Sequence, residues 1–319
     1  MLLALDTETS GLTWDDSPFL MSYAMIGPLR GVVMSGFVDL WDKPEYVLPV
    51  DARNTYIFHN AKFDLRMLIK AGVLRRGDIK FDSFHDTQIL AQLIDENRSL
   101  KLKDLEESVL GLTTDEAQAL KAAKRKYKVT GVNKGRYDWL PRELLIPYAI
   151  KDAEFTLALF NNLYPELPES CKPLYDRERQ LVLDVLDMES SGLGVDTAYA
   201  ESMRKHLNSE ILKTLNCITQ MAGVEDFNPG STKQLSDALL DRGYDLPLTE
   251  KGNPKTDSAT LAKLDSPFAE QVLAYRKLTK LQNTYIIPVL EEGKSGVLHP
   301  NFNLSGAKTG RFSSSKARE

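Results

Sequence analysis

The sequence has 319 residues and a formal net charge of −5, with 42% hydrophobic and 27% charged residues. This composition excludes a disordered chain, a collagen-like repeat and a coiled-coil rod as descriptions of the whole protein. The two cysteines, Cys171 and Cys217, exclude a disulfide framework and a multi-thiolate zinc site, and they favour a reducing compartment. The length predicts two domains and a fragment of a third.

The start of the chain and its hydropathy predict neither a secretory signal nor a membrane span. The apolar run that begins at Met1 ends at Leu5, because Asp6 follows at once, so it is too short for a signal peptide. No run of about 18 apolar residues occurs, and such a run is what a helix needs to cross a bilayer.

Positive charge is concentrated in two segments. Residues 121–136 contain seven lysine or arginine residues and no acidic residue, and residues 272–319 contain eight basic and three acidic residues. Each segment is either a solvated face or a surface that contacts phosphate, since a basic side chain beside a nucleic-acid backbone displaces condensed counterions. The net negative charge of the chain excludes neither reading.

Residues 1–163 show a change from strand-like to helix-like patterns. Short apolar runs predict strands at residues 2–5, 20–26, 32–40 and 56–58. Helical spacing of apolar residues predicts helices at residues 61–71, 85–94, 101–110 and 143–163. Pro147 suits the last helix only if it lies in the first turn, where a missing N–H costs little. Strands followed by helices predict a mixed α/β layer around a sheet.

After a segment that contains Pro165, Pro168 and Pro173, the chain becomes mostly helical. Helices are predicted at residues 174–191, 197–221, 231–242, 258–264 and 267–290, and a short strand at 296–302. Asp86 and Asp196 are each predicted to cap the helix that follows them, because an aspartate oxygen accepts a free backbone N–H of the first turn. The alternative for Asp86 is a fifth acid near the acidic site. The proline-rich segment therefore predicts a domain boundary.

Two acidic residues stand at the end of the first predicted strand. Asp6 and Glu8 are two residues apart, so their side chains point to the same face of the strand. Two such charges repel unless a cation holds them, and Mg²⁺ favours carboxylate oxygens. Taken alone, the pair is better explained by two exposed acids at the end of a strand.

Two predicted helices carry further polar pairs with a spacing of four residues. Asn60 and Asp64 share a face of one helix, and Tyr148 and Asp152 share a face of another. Each pair alone also fits a structural role, an Asn cap beside a solvated Asp or a Tyr bonded to a surface Asp. Together with the strand pair, they predict four carboxylates and a tyrosine converging on one cleft.

The order and spacing of these three groups resemble the proofreading-type 3′→5′ exonuclease superfamily, in the branch with four acids and a tyrosine. The matching motifs are LALDTETSGL, FHNAKFDLRML and YAIKDAEFTLALF. The resemblance implies a ribonuclease H-like mixed sheet with flanking helices. It also implies a two-metal phosphodiester hydrolase that uses Mg²⁺ or Mn²⁺, since two ions can activate water and stabilise the departing 3′-oxygen.

The resemblance assigns a role to each motif residue. Asp6, Glu8 and Asp152 would hold the metal that activates water, and Asp6 with Asp64 would face a second metal. Tyr148 would orient the attacking water with Glu8, because its usual pKa near 10 suits a hydrogen-bonding role at neutral pH.

Substrate contacts follow from the same resemblance. Leu12 and Asn60 would line the pocket of the terminal nucleotide, and Phe63 and Tyr148 lie near the motifs as alternative candidates for stacking on a base.

Later segments resemble the start of the polymerase module of family-A DNA polymerases. In order they are RERQLVLDVLDMESSGLGVD, FNPGSTKQLSDALL, TDSATLAKL, YRKLTKLQNTYIIPVL and TGRFSSS. The implied domains are an exonuclease domain at 1–170, an all-α thumb-like region at 171–290 and a short palm fragment at 291–319. Contacts with the phosphates of DNA would come from Arg276, Lys280, Lys308 and Arg311.

The expected function is a metal-dependent 3′→5′ exonuclease that acts on single-stranded DNA ends and, without fingers and a complete palm, does not synthesise DNA by itself. DNA is the expected partner, as a single-stranded 3′ end and as a primer–template duplex held by the thumb, and a second chain would carry palm and fingers. The alternatives are a non-catalytic DNA-clamping subunit of a split polymerase and an RNA 3′→5′ exonuclease. The resemblance implies the cytoplasm of a bacterium or of a virus-infected cell, with no membrane partner.

Overall fold

The computed structural model describes residues 1–27, 32–48, 54–112, 115–307 and 309–315. The chain divides into two compact units. One consists of Met1–Gly192 together with His299–Glu319, and the other of Leu193–Leu298.

The first unit is built on a mixed five-stranded sheet, as the sequence predicts. Its strands are β1 (Leu2–Thr9), β2 (Pro18–Ile26), β3 (Val33–Asp39), β4 (Thr55–Phe58) and β5 (Phe84–Asp86). Their order across the sheet is β3-β2-β1-β4-β5, with antiparallel pairs on the β3 side of β1 and parallel pairs on the β5 side. Strand β1 is therefore central, and its carboxyl end lies beside the start of the helix that follows its parallel neighbour β4.

In the described part of this unit, six α-helices flank the sheet. They are α1 (Ala61–Lys70), α2 (Thr87–Ile94), α3 (Leu102–Leu110), α4 (Asp115–Lys126), α5 (Arg142–Glu166) and α6 (Lys172–Ser191). Helix α5 packs on β1 and β2, where its buried Leu157 and Phe160 join the core of Leu5, Ile57 and Phe58. Burying each such side chain contributes about 1.5–3 kcal/mol, so this packing fixes the position of α5 relative to β1.

Two elements of this unit differ from the sequence expectation. Pro147 lies beyond the first turn of α5, so the helix tolerates one missing backbone hydrogen bond there. Helix α6 packs against α1, α2 and β5 in the first unit, although the sequence grouped it with the thumb-like helices. Its buried Val182, Leu183 and Leu186 belong to the core of the sheet domain. The functional boundaries at 170 and 290 remain a prediction.

The second unit is helical. Its elements are β6 (Leu193–Gly194), α7 (Thr197–Ala222), α8 (Thr232–Leu240), α9 (Ser258–Leu261), α10 (Pro267–Leu281), a π-helical turn (Gln282–Ile286), α11 (Ile287–Glu292) and β7 (Val297–Leu298). The predicted cap is confirmed, since the Asp196 carboxylate accepts the N–H of Tyr199 at 2.8 Å. Ile218, Phe227 and Phe268 lie in the buried core of this unit.

Beyond the helical unit, two short strands belong to the first unit. Strands β8 (Asn301–Asn303) and β9 (Ser313–Ser315) pair in an antiparallel manner. Among the described helices of both units, none is both long enough and apolar enough to cross a bilayer.

Candidate active site

The carboxyl-terminal half of β1 carries the first acidic pair into a cleft. Strand geometry turns Asp6 and Glu8 to one face of the sheet, while Thr7 between them points to the other. The cleft has a volume of about 250 Å³. Six of the predicted site residues line it: Asp6, Glu8, Leu12, Phe63, Tyr148 and Asp152.

The fourth acid, Asp64, lies on α1 and is held by β1. Its Oδ1 accepts two hydrogen bonds from Thr7, one from the backbone N–H at 3.0 Å and one from the hydroxyl at 2.7 Å. Asp64 is 3% exposed and does not line the cleft itself, yet its charge acts on Asp6. The strand and the helix therefore fix this carboxylate directly behind the acidic pair.

Helix α5 carries Tyr148 and Asp152, the last two of the five predicted catalytic residues, one turn apart. The Tyr148 hydroxyl hydrogen-bonds the Asp152 carboxylate, and Asp152 is 6% exposed. The ammonium of Lys103, on α3, contacts Oδ1 of the same carboxylate and lies 4.6 Å from the centre of the Tyr148 ring. Lys103 was not predicted from the sequence, because the residues it joins are far apart along the chain.

Burial and mutual repulsion shift the pKa values of the acids upward. Burial raises the pKa of Asp6 well above its usual value, and Asp64, Glu8 and Asp152 add to this effect. Burial and the charge of Asp152 likewise raise the pKa of Glu8, and burial raises the pKa of Asp64 to about 7. The positive charge near these carboxylates is therefore too small to offset their mutual repulsion, and a bound cation would supply the missing charge.

The cleft has a second wall that sequence reasoning missed. Lys134, Gly135 and Tyr137 follow α4 and line the side that contains Glu8. The Lys124 ammonium contacts the Tyr137 hydroxyl and lies 4.1 Å from the centre of its ring. A signal was present, because Lys124, Lys134 and Gly135 belong to the basic segment 121–136 and Tyr137 directly follows it. Nothing in the sequence, however, places that segment beside the acids.

A glycine shapes this wall. Gly135 has a φ of 97°, in the left-handed region, and a Cβ at this position would meet Leu12 Cγ at 2.8 Å. A side chain would therefore be strained and would push on the apolar residue at the mouth of the cleft.

A neighbouring cavity is lined by Asn60, the other residue predicted to contact the terminal nucleotide. It has a volume of about 310 Å³ and shares Leu12 and Phe63 with the acidic cleft. Asn60 lines this second cavity and not the first. Asn60 precedes α1 with a φ of 70°, and its side chain does not cap that helix.

The cap of α1 comes from Asp86 instead. Its carboxylate accepts the N–H groups of Asn60 at 3.1 Å and Ala61 at 2.7 Å, and also that of Gln88 at 2.8 Å. The predicted cap of the helix after Asp86 is thus confirmed. The same carboxylate fixes the start of the helix that carries Asp64, so Asp86 organises the site without facing the cleft.

The predicted phosphate contacts fall in both units. Arg276, in the second unit, donates to the Thr256 carbonyl at 2.5 Å and is half-buried, while Lys280 is exposed. Arg311 is exposed in the first unit, and Lys308 lies outside the described residues. The structure thus gives Arg276 an internal hydrogen bond that the sequence did not indicate.

The acids fit a divalent cation by their chemistry, although they are not arranged as a closed cage. Within the described part of the chain, no three His, Cys, Asp or Glu side chains form a ready ion-binding group. Two of the carboxylate oxygens already have partners, since Thr7 binds Asp64 Oδ1 and Lys103 binds Asp152 Oδ1. The donor set itself, carboxylate oxygens with raised pKa values, is the kind that Mg²⁺ and Mn²⁺ prefer.

Comparison with known protein families shows which family this chain is related to. Residues 2–168 match the family model described as 3′-5′ exonuclease. The chain belongs to this exonuclease family of the family-A DNA polymerases. Residues 197–317 match the model described as DNA polymerase family A, so both parts of the predicted resemblance are confirmed.

Individual relatives agree with this assignment. DNA polymerase I of Chloroflexus aurantiacus is 33% identical over 80% of this chain and 27% of its own length. The DNA polymerase of Escherichia phage T5 is 28% identical over 98% of this chain and 39% of its own length. The chain thus spans about a third of the length of the curated relatives it matches.

A solved structure shares the fold. The POL domain of Pol1 from M. smegmatis, in complex with DNA primer-template and dNTP, aligns with a TM-score of 0.69 over 98% of this chain and 50% of that chain. At 22% identity the similarity concerns the fold alone. The exonuclease assignment therefore rests on the family match and on the residues of the cleft.

Proposed function

We propose that this exonuclease-family chain hydrolyses the terminal phosphodiester bond of single-stranded DNA from the 3′ end, with divalent cations held by Asp6, Glu8, Asp64 and Asp152. The observation that carries the proposal is the cleft that joins Asp6, Glu8, Tyr148 and Asp152 with the apolar Leu12 and Phe63. Acids and apolar residues in one cavity suit a ligand with a phosphate and a base. Synthesis of DNA is not part of this proposal.

The reaction that suits this site is an in-line displacement at phosphorus. A water oxygen forms a bond to the terminal phosphorus and releases a proton to solvent. The bond from phosphorus to the 3′-oxygen breaks, and that oxygen takes up a proton from solvent and remains as the 3′-hydroxyl of the shortened strand. The product is a nucleoside 5′-monophosphate. Divalent cations, when bound, would supply electrostatic stabilisation of the attacking and departing oxygens.

The chain's own residues position the reacting groups. Tyr148 and Glu8 face the same cavity and would orient the attacking water by hydrogen bonding. Burial and the neighbouring acids raise the pKa of the Tyr148 phenol, so it acts as a hydrogen-bonding group and not as a base. Lys134, in the segment after α4, also lines the cleft, is exposed and would attract the phosphates of the strand.

Leu12 and Phe63 would favour a DNA strand whose 3′-terminal base is unpaired. They line both cavities, so a terminal nucleotide placed against them would have its phosphate toward the acids. Stacking of a base on an aromatic ring contributes about 1–3 kcal/mol and does not depend on base identity. The cleft therefore suits frayed or single-stranded ends of any sequence, and DNA is the proposed substrate because the relatives are DNA polymerases.

The deciding experiment is a gel assay with a 5′-labelled single strand and Mg²⁺. We expect a ladder that shortens from the 3′ end, and we expect Asp6→Ala to slow it by about 1,000-fold, equivalent to ~4 kcal/mol in the barrier. Asp82→Ala is the matched control, since Asp82 is exposed and outside the cleft.

Three outcomes are informative. A ladder that Asp6→Ala leaves intact would contradict the proposed site, and a ladder unaffected by EDTA would contradict the cation requirement. A matched RNA strand, degraded faster than the DNA strand, would move the substrate assignment to RNA.

A further inference from the structure

The Lys103 side chain is placed between two carboxylates. On one side its ammonium contacts Oδ1 of Asp152, on α5. On the other side it contacts Oε1 of Glu106, on its own helix, at 2.9 Å. The rings of Tyr148 and Phe155 lie 4.6 Å and 5.5 Å from the ammonium. The positive charge is therefore confined to a small space between α3 and α5.

Glu106 has no other evident reason to be buried. It is 2% exposed, it does not line the cleft, and burial raises its pKa to about 7. An isolated buried carboxylate is costly, so a partner of opposite charge is needed nearby. The Lys103 ammonium supplies this partner, since it contacts the carboxylates of both Glu106 and Asp152.

We propose that Lys103 is an internal counter-ion of the acidic cleft, bound to Asp152 when no divalent cation is present and retained by Glu106 when one binds. This inference rests on the proposed function, since it assumes that Asp152 is a cation ligand. The Lys103 ammonium would shift only a short distance from Asp152 toward Glu106, because it already contacts both carboxylates in one position. The acids are thereby partly neutralised in the empty cleft.

Lys103 and Glu106 have opposite effects on the affinity of the cleft for a divalent cation. Loss of the ammonium removes a positive charge that repels the cation and occupies a ligand oxygen. Loss of the Glu106 charge leaves Lys103 with Asp152 as its main partner and makes displacement harder. Lys103 is thus a positioning residue, and Glu106 acts through it.

The test is titration of the full chain with Mn²⁺ by calorimetry, without DNA and at about pH 8, where exposed carboxylates are ionised. We expect Lys103→Met to lower the Kd for Mn²⁺ by about tenfold, equivalent to ~1.4 kcal/mol. We expect Glu106→Gln, which keeps the shape of the side chain, to raise the Kd by a similar factor. Lys103→Arg, which keeps the charge, should bind Mn²⁺ close to the wild type, and Lys121→Met, at an exposed lysine of α4, should not change the Kd.

Thermal unfolding gives a second readout that is independent of catalysis. In EDTA, Lys103→Met should melt about 2–4 °C below the wild type, because the acids have lost their counter-ion. Saturating Mn²⁺ should remove this difference, since the cation then neutralises the same carboxylates.

The outcomes separate this inference from the proposed function. If the wild type does not bind Mn²⁺, both fail. If the wild type binds Mn²⁺ while Lys103→Met binds it equally or more weakly, or if Glu106→Gln binds it more tightly, only the counter-ion role is overturned. If Lys103→Met folds poorly, the Kd of Glu106→Gln for Mn²⁺ decides, since this Kd is expected to rise and not to fall.

Discussion

Thr7 donates two hydrogen bonds to a single oxygen of Asp64, from its backbone N–H at 3.0 Å and from its hydroxyl at 2.7 Å. This relationship joins the strand that carries Asp6 and Glu8 to the helix that carries Asp64. Both residues are buried, so the bonds are shielded from water. The arrangement sets the position of one acid relative to the other two.

Replacement of Thr7 by valine tests this connection. Thr7→Val keeps the volume and the backbone bond but removes the hydroxyl, and a misplaced Asp64 should lower kcat by about tenfold or more. Thr7→Ser keeps a hydroxyl and should retain most activity. The measurement is single-turnover hydrolysis of a 5′-labelled single strand with Mg²⁺. Equal rates for the valine and serine variants would show that the hydroxyl does not position Asp64.

The hydroxyl of Tyr148 can be tested without removing its ring. Tyr148→Phe loses the hydrogen bond to Asp152 and the group that would orient water, so kcat should fall by about 10–100-fold with little change in KM. Tyr127→Phe, at an exposed tyrosine of the same unit, serves as the control. A reduced affinity for DNA with an unchanged kcat would instead indicate a role in substrate binding.

Two arginines predicted to contact phosphate should behave differently. Arg311 is exposed, so Arg311→Ala should weaken DNA binding and reduce the slope of log K against log salt by about 1. Arg276 donates to the Thr256 carbonyl, so Arg276→Ala should instead lower the melting temperature. Fluorescence anisotropy at several salt concentrations, together with thermal melts, distinguishes the two. An unchanged salt slope for Arg311→Ala would remove Arg311 from the DNA contact.

A partly buried histidine predicts a loss of stability in acid. Burial, with Arg179 nearby, lowers the pKa of His85 from 6.5 to about 4. Between these pH values the unfolded chain binds a proton that the folded chain does not, so the free energy of unfolding falls as the pH falls. Removing this histidine should therefore reduce the loss of stability between about pH 7 and pH 5 by ~1–2 kcal/mol.

His85→Phe is the corresponding variant, because the imidazole lies among the rings of Phe160, Tyr164 and Tyr175. Urea unfolding at the two pH values gives the measurement, and His206→Gln, at an exposed histidine, gives the control. The same pH dependence in His85→Phe and in the wild type would exclude His85 as the source.

Local sequence patterns predict most of the elements of this fold. The first four strands follow from short apolar runs, and helices α1, α2, α3 and α5 follow from apolar residues at helical spacing. Strand β5 was missed because it has three residues and precedes α2 directly. Helix α4 was missed because it is mostly polar, and its burial against α5 through Leu120 and Ala123 depends on tertiary packing.

The site was predictable only in part. The motif residues on β1 and α5 meet in one cleft because α5 packs on the central strand of the sheet. Lys103 and Tyr137 could not be predicted as members of the site, since their placement depends on how α3 and the segment after α4 fold back onto α5. Asn60 lies in the neighbouring cavity because its backbone adopts a left-handed conformation immediately before α1.

The pairing of β6 with β7 has a consequence for the architecture of the chain. Leu193 lies opposite Leu298, so the helical unit begins and finishes at adjacent backbone positions. A short glycine-containing linker between Gly192 and His299 would therefore replace residues 193–298 without stretching the sheet domain. Such a deletion would isolate the acidic cleft from residues 193–298, so that the proposed hydrolysis could be measured on the sheet domain alone.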